Sequence, residues 1–316
     1  MSTGAQKVGL GLAALGRPAY ITSGRGDDLG GHRSMEQMRA RTAQVLDAAY
    51  AAGVRYVDCA RSYGVSESFL ASWLAGHPAL DDVTVASKWG YRYVGDWQMT
   101  AETHEQKDHS LAAFQEQVAA TQHELGSHLD VYQIHSLTPD SPALADQSLL
   151  DALAELRDNG IRIGFSTSGP AQADVVRAAI EVTRGGEPLF RVVQSTWNLL
   201  EPSVGPALQE AAEAGVHVVV KEALANGRLV AGDPQTPGVH EAANVLNLPL
   251  HQAAFAAVAA QPWLGHVLSG AVTPTQVEEN VAAASISLSS SQIEQLLVDA
   301  QDPREYWTAR SQRAWA

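Results

Sequence analysis

Along this chain, short unbroken apolar runs alternate with longer stretches in which apolar residues recur at helical spacing. The runs are VGLGLAAL (8–15), VRYVDC (54–59), DVTVASK (82–88), LDVYQIH (129–135), IRIGFS (161–166), RVVQST (191–196), VHVVVK (216–221) and HVLSGA (266–271), eight in all. Continuous rather than alternating apolarity suits strands covered on both faces, as in a parallel sheet. Between them, 35–53, 148–160 and 202–215 carry helical patterns, closing at Gly53, Gly160 and Gly215 just before the next run. Eight strand–helix units over residues 1–316, with no linker or low-complexity break, predict an α/β fold: a single-domain (β/α)8 TIM barrel. The glycines of the first run raise a dinucleotide-binding fold as the alternative. Gly9, Gly11 and Gly16 give G-x-G-x₄-G, lack the Rossmann spacing and lead into a loop rather than a helix.

Composition narrows the class of function. Twenty-one Lys and Arg against 35 Asp and Glu give a formal net charge of −14, and no basic stripe interrupts it. Nucleic acid and anionic membrane surfaces are therefore not expected partners. A lone cysteine, Cys59, excludes an internal disulfide framework and fits a reducing compartment. The longest apolar stretch, 253–260, is too short to span a bilayer, and MSTGAQKVGL lacks the charge-then-apolar order of a signal peptide. The expectation is a soluble cytoplasmic protein.

In a barrel of this kind, sites are built on loops at the C-terminal ends of the strands. Three such loops are long: 16–34, 89–109 with Trp89, Tyr91, Tyr93 and Trp97, and 222–244. The same rim collects ionisable side chains. Asp58 ends the second run, Lys88 the third and His135 the fourth, and Tyr63 follows Asp58 by five residues. Taken singly, Asp58 reads equally as a helix cap and His135 as a satisfied interior histidine; together on one rim they make a group that no core needs. A tyrosine near its usual pKa of about 10 is a poor proton donor and acceptor at neutrality. A neighbouring ammonium such as Lys88 favours phenolate, and Asp58 would keep that ammonium charged. The expected drop is roughly one to three pH units, each worth about 1.4 kcal/mol. His135 would orient a carbonyl oxygen towards Tyr63. None of these groups can supply hydride, which requires a cofactor.

VDCARSYG (57–64), SKWG (87–90), YQIHS (132–136), IGFSTSG (163–169), QSTWN (194–198) and LSGAVTPTQVEEN (268–280) resemble the aldo-keto reductases, and the resemblance covers essentially the whole chain. It implies Tyr63 as general acid/base, Lys88 and Asp58 as the pair that lowers its pKa, and His135 as the residue orienting the carbonyl. It also implies nicotinamide contacts from Ser166 and Gln194, with Thr167 where the family has asparagine. Lys221 stands where the family usually stacks an aromatic residue on the nicotinamide; Trp197 and Trp89 are the aromatics that would replace it. After the eighth run, Ser269, Gly270, Ala271 and Gln276 stand in the segment that clamps a 2′-phosphate in NADP-preferring relatives, none of them cationic, with Arg228 as a compensating cation. Glu279 and Asn280 match the adenine contacts. The dinucleotide, NAD(H) or NADP(H), is left open by these residues.

Other features carry less. His104, Glu105 and His109 make HExxxH, whose second histidine falls off the face a zinc helix needs, and a solvated loop is the simpler reading. Cys59 should point away from the site by strand alternation. Trp89, Tyr91, Trp97 and Trp197 are candidates for a substrate pocket. The tail 301–316, with Tyr306, Trp307 and Trp315, reads equally as a lid over substrate or as packing on the barrel exterior. The expected function is NAD(P)-dependent interconversion of a small-molecule aldehyde, ketone or sugar and its alcohol. The alternative is a cofactor-binding regulatory barrel with little catalysis.

Overall fold

The computed structural model describes residues 4–21, 28–29, 33–231 and 233–315; of the long loop at 16–34, positions 22–27 and 30–32 lie outside the described residues. The eight apolar runs form the eight strands of a closed, all-parallel barrel. They are β1 Val8–Gly11, β2 Tyr56–Asp58, β3 Thr84–Trp89, β4 Leu129–Leu137, β5 Arg162–Thr167, β6 Val192–Thr196, β7 His217–Lys221 and β8 His266–Ser269, each paired with its sequence neighbours and β8 closing on β1. Around them lie α1 Met35–Ala51, α2 Ser66–Gly76, α3 Leu111–Leu125, α4 Gln147–Asp158, α5 Gln172–Ile180, α6 Gly205–Glu213, α7 Pro237–Val245, α8 Leu250–Ala259, α9 Pro274–Ala283, α10 Ser290–Leu296 and α11 Pro303–Ser311.

Strand alternation sorts the side chains into two cores. Tyr56, Ala86, Val131, Val192 and Val219 fill the barrel interior, while residues of the other parity, such as Val57, Val85, Ile134, Val193 and Val220, pack outward against the helices. The interior is apolar only at that level. Two residues further along the same strands, the inward positions are Asp58, Lys88, Gln133, Gln194 and Lys221. The polar floor of the site is therefore one step of the same alternation that builds the core.

Three expected elements differ. The first run stops as a strand at Gly11, because Leu12 to Gly16 curl into turns closed by Leu15 N–H and Gly16 N–H on the Leu12 carbonyl. The segment read as a loop at 222–244 contains α7, whose Val239 and Ala243 are buried with Leu200, Leu296 and Tyr306 in a satellite core. The 89–109 loop is an antiparallel hairpin, Tyr91–Tyr93 with Glu105–Lys107. Among the described residues no helix is long and apolar enough to cross a membrane.

Candidate active site

The Tyr63 loop is fixed by close backbone approach. A Cβ on Gly16 would lie 2.3 Å from the Tyr63 carbonyl oxygen and 2.5 Å from Ser66 Cβ, so only glycine lets the first loop lie against the second. Gly16 O in turn accepts the Val65 N–H at 2.9 Å. Tyr63 itself is 8% exposed at the floor of a cleft.

Lys88 and Asp58 form a buried ion pair, Nζ to Oδ2 at 2.5 Å, with side chains 0% and 2% exposed. The same ammonium donates to the Cys59 carbonyl at 2.9 Å. The other carboxylate oxygen accepts from Gln194 Nε2 at 2.8 Å and Gln133 Nε2 at 3.4 Å. Asp58 is thus fully engaged and is no helix cap. Lys88 Nζ lies 4.7 Å from the centre of the Tyr63 ring, and the Arg17 guanidinium 5.0 Å from it. Arg17, 2% exposed, is anchored on Ser62 O at 3.0 Å and Glu105 at 2.7 Å.

His135 meets Tyr63 edge to face at 5.4 Å and Tyr91 at 5.1 Å. Behind it, His109 Nε2 donates to the His135 carbonyl at 2.8 Å, which leaves His109 Nδ1 to accept from Ser141 Oγ at 2.6 Å. Gly90, at φ +107°, makes room for that ring: a Cβ there would fall 2.5 Å from His109 Cδ2. Burial lowers His109 to about 4, and burial together with the Lys88, Lys221 and Arg17 cations holds His135 well below its usual range. Both are neutral at physiological pH.

The phenol departs from expectation. Burial lifts Tyr63 well above its ordinary value, and the Asp58 carboxylate adds to the rise while Arg17 opposes it. The expected Lys88–Asp58 pair is present, but at hydrogen-bonding distance the carboxylate matches the charge that was expected to favour phenolate. Desolvation therefore outweighs it, and the resting group is a protonated phenol.

From Tyr63 and Asp58 a cavity of about 290 Å³ runs past Gln194 and Lys221 to Ser269, Gly270, Ala271, Gln276, Glu279 and Asn280. It passes the polar rim of β8 and the start of α9, where Gly270 opens onto free space with no atom within 4 Å of its Cβ position. His251 Nε2, buried without a hydrogen-bond partner, also lines it, 3.9 Å from Glu279. A long cleft with a cluster of ionisable side chains at one end and an unsatisfied polar atom at the other fits a dinucleotide.

Several expected contacts change role. Gln194 spends its amide N–H on Asp58, bracing the carboxylate, and Ser166 Oγ accepts the Ser136 N–H at 2.8 Å. Asn280 donates to Ser269 Oγ at 2.8 Å, and Gln276 is fixed between Val272 N–H and the Asp28 carboxylate. Arg228 is committed to Asp233 at 2.5 Å and Gln301 at 3.0 Å, away from the clamp position. Trp89 and Trp197 do not wall a pocket: each follows an inward residue, so alternation turns it outward. Trp89 packs on Phe114 at 5.1 Å and Trp197 on Trp263 at 6.0 Å, both buried. Tyr91 does stand at the site, beside His135, while Trp97 is held from the side by Arg33 O at 3.0 Å. His104 and His109 are buried supports rather than a solvated loop; His104 stacks on Trp315 at 4.2 Å. Cys59 is fully buried, and burial raises its thiol well above the usual range. The tail packs on the barrel. Tyr306 and Trp307 pack into the satellite core, and Arg310 pairs with Glu222 at the cavity wall. Sequence reasoning missed Gln133, Arg17, Glu222 and Arg310. Only Gln133, on the same strand face as His135, left a signal.

A profile of the Aldo/keto reductase family matches residues 8–297. The chain belongs to the aldo/keto reductase family. It is an oxidoreductase with the barrel of that family. Protein tas of Escherichia coli is 23% identical over 295 residues, 77% of this chain and 84% of that protein. D-threo-aldose 1-dehydrogenase of a Pseudomonas species is 27% identical over 216 residues, 62% of this chain and 64% of that protein. Among solved structures, the aldo-keto reductase AKR11C1 of Bacillus halodurans in its holo form superposes with a TM-score of 0.69 at 23% identity, covering 94% of this chain and 92% of that one. The glycerol dehydrogenase AKR11B4 of Gluconobacter oxydans gives 0.67 at 22% identity, with the same coverage. These structures share the fold.

Proposed function

We propose that this aldo/keto reductase interconverts a small carbonyl compound (aldehyde, ketone or sugar) and its alcohol with NAD(H) or NADP(H), Tyr63 acting as general acid/base. The observation that carries the reading is the cavity that joins Tyr63 and Asp58 to Gly270, Gln276 and Asn280. Two of the relatives, an aldose dehydrogenase and a glycerol dehydrogenase, are named for chemistry of this class.

The bound dinucleotide supplies the hydride. The protein's own groups handle the oxygen and its proton. Tyr63, protonated at neutral pH, donates its phenolic proton to the carbonyl oxygen in the reducing direction. Ser62 Oγ lies 3.3 Å from His135 Nδ1; donation from that hydroxyl leaves the proton on Nε2, which then hydrogen-bonds the same oxygen. Lys88 and Asp58 hold their charges in place beneath the ring and cost no reorganisation during the transfer. At the far end, Gly270, the entry of α9, Glu279 and His251 form the adenosine side. The Asp28 carboxylate on Gln276, at 2.8 Å, accepts a ribose hydroxyl more readily than it tolerates a 2′-phosphate, which supports NAD(H) as the tighter ligand.

Titration with NADH and with NADPH, read by quenching of the seven tryptophans, tests the reading. Saturable binding of NADH at lower concentration than NADPH is expected; binding of neither would sink it.

A further inference from the structure

Lys221 ends β7 and lines the cavity beside Asp58, Tyr63 and Gln194. Its ammonium donates to Thr196 Oγ1 of β6 at 2.8 Å and stands 3.9 Å from Glu222. That carboxylate is already taken. Arg310 of α11 grips it with Nε, 3.0 and 2.9 Å from the two oxygens, and with a further short contact from its terminal nitrogen. Across the barrel, the Lys88 ammonium of β3 is matched by Asp58 of β2. Also facing Lys221 are His135, which is neutral, and the Trp307 ring at 5.7 Å. Among the described residues at this end of the cavity, four cations, Lys88, Lys221, Arg310 and Arg17, thus share three carboxylates, Asp58, Glu222 and the Glu105 that pairs with Arg17. The site holds one positive charge in excess, and it resides on Lys221.

Any nicotinamide that delivers hydride to a carbonyl at Tyr63 must lie at this end of the cavity. The oxidised ring carries a positive charge and the reduced ring none, while the rest of the two dinucleotides is identical. We infer that Lys221 discriminates the redox state of the dinucleotide, its ammonium disfavouring the oxidised nicotinamide ring so that the site binds the reduced form more tightly. This rests on the dinucleotide reading above. Like charges a few ångströms apart in a partly desolvated site predict a preference of roughly tenfold to several hundredfold.

The preference carries a pH signature. Burial lowers Lys221 to about 8, with Arg310 and Lys88 adding to the fall and Glu222 and Asp58 opposing it. Its charge is present below that value and lost above it. Tyr63 stays protonated and His135 neutral across the same range, since one is raised far above it and the other depressed far below.

Dissociation constants for NADH and NAD⁺, and for NADPH and NADP⁺, are measured by tryptophan quenching and calorimetry at pH 6.5 and 9.5. The wild-type ratio of oxidised to reduced constants should narrow roughly tenfold or more at the higher pH. Lys221→Met should show a small ratio at both pH values, through tighter oxidised-form binding, and Lys221→Arg a large ratio at both. A wild-type ratio that does not change with pH overturns the inference, whatever the variants do. So does equal weakening of both redox forms in Lys221→Met, which would assign the ammonium to the phosphates. If the wild type binds no dinucleotide, the functional reading itself falls and this inference with it.

Discussion

Replacing Asp58 with asparagine removes one charge and almost no volume, so its cost reports the buried pair. At 2.5 Å the Lys88–Asp58 attraction is about 7 kcal/mol gross in an effective dielectric near 20. The desolvation of two ions with side chains at most 2% exposed offsets much of that, so the net worth of the pair is small. Breaking it is different. Lys88 keeps its desolvation cost and loses its partner, which costs about 3–5 kcal/mol. Hydrogen bonding adds to this, because Asp58 accepts on both oxygens, from Lys88 on one and from Gln194 and Gln133 on the other. An asparagine has one acceptor oxygen, so either rotamer sets an N–H₂ against a donor. The expected loss is therefore a large share of a typical stability of about 5–15 kcal/mol. Urea unfolding followed by far-UV circular dichroism should show a lower midpoint at unchanged slope for Asp58→Asn and for Lys88→Met. The double variant should lose about 2–3 kcal/mol less than the sum of the two, since it buries no orphaned charge. Additive losses, or an Asp58→Asn protein within about 1 kcal/mol of wild type, would refute the account.

Tyr63→Phe should cut turnover by roughly 10³-fold or more while leaving the NADH quench nearly unchanged; a Phe variant with near-native rates would remove Tyr63 from the mechanism. Because burial lifts the Tyr63 phenol, alcohol oxidation should rise with pH through the alkaline range without a plateau near neutrality, and a plateau below pH 8 would contradict it. At the opposite end of the barrel, His217 Nε2 and His266 Nδ1 share a hydrogen bond of 2.7 Å under the Tyr56 ring, and burial with the neighbouring His217 lowers His266 to about 3. A depressed histidine stabilises the fold above its unfolded pKa of about 6.5 and loses that contribution as pH falls below it. The loss is about 2 kcal/mol at pH 5. Urea midpoints at pH 7.5 and 5 should differ less in His266→Leu than in wild type, and an equal difference would exclude the pair as the cause.

The barrel was legible because its strands are buried on both faces and so read as unbroken apolar runs; all eight were found, with ends shifted by a few residues. The cluster of ionisable side chains at the rim was legible because Asp58, Lys88 and His135 terminate those runs. Alternation alone would also have turned Trp89 and Trp197 away from the cavity, since each follows an inward residue, but aromatic character pointed the other way. The partners of the site were not legible. Arg310 and Glu222 are 88 residues apart, as are Arg17 and Glu105, and no local pattern joins them. Nor was the Tyr63 shift: residue types give the signs of nearby charges, but the desolvation that decides the outcome depends on a burial that only packing sets.

Under the proposed function, two electrostatic features of the cavity favour the same direction of reaction. Burial and the Asp58 carboxylate keep the proton on Tyr63, and carbonyl reduction needs that proton on the phenol while alcohol oxidation needs it gone. The excess positive charge inferred on Lys221 would favour a neutral nicotinamide, which is again the form that reduction starts from. The same charge would raise the energy of a bound oxidised dinucleotide and so assist its release. A tight Lys88–Asp58 pair makes this arrangement consistent, because it removes the cation that would otherwise stabilise phenolate. Raising the pH relaxes both constraints in turn, first at Lys221 near 8 and then at Tyr63 far above it. The proposed bias towards reduction at neutral pH therefore rests on where the barrel leaves its unmatched charge, and it does not depend on which carbonyl compound the loops admit.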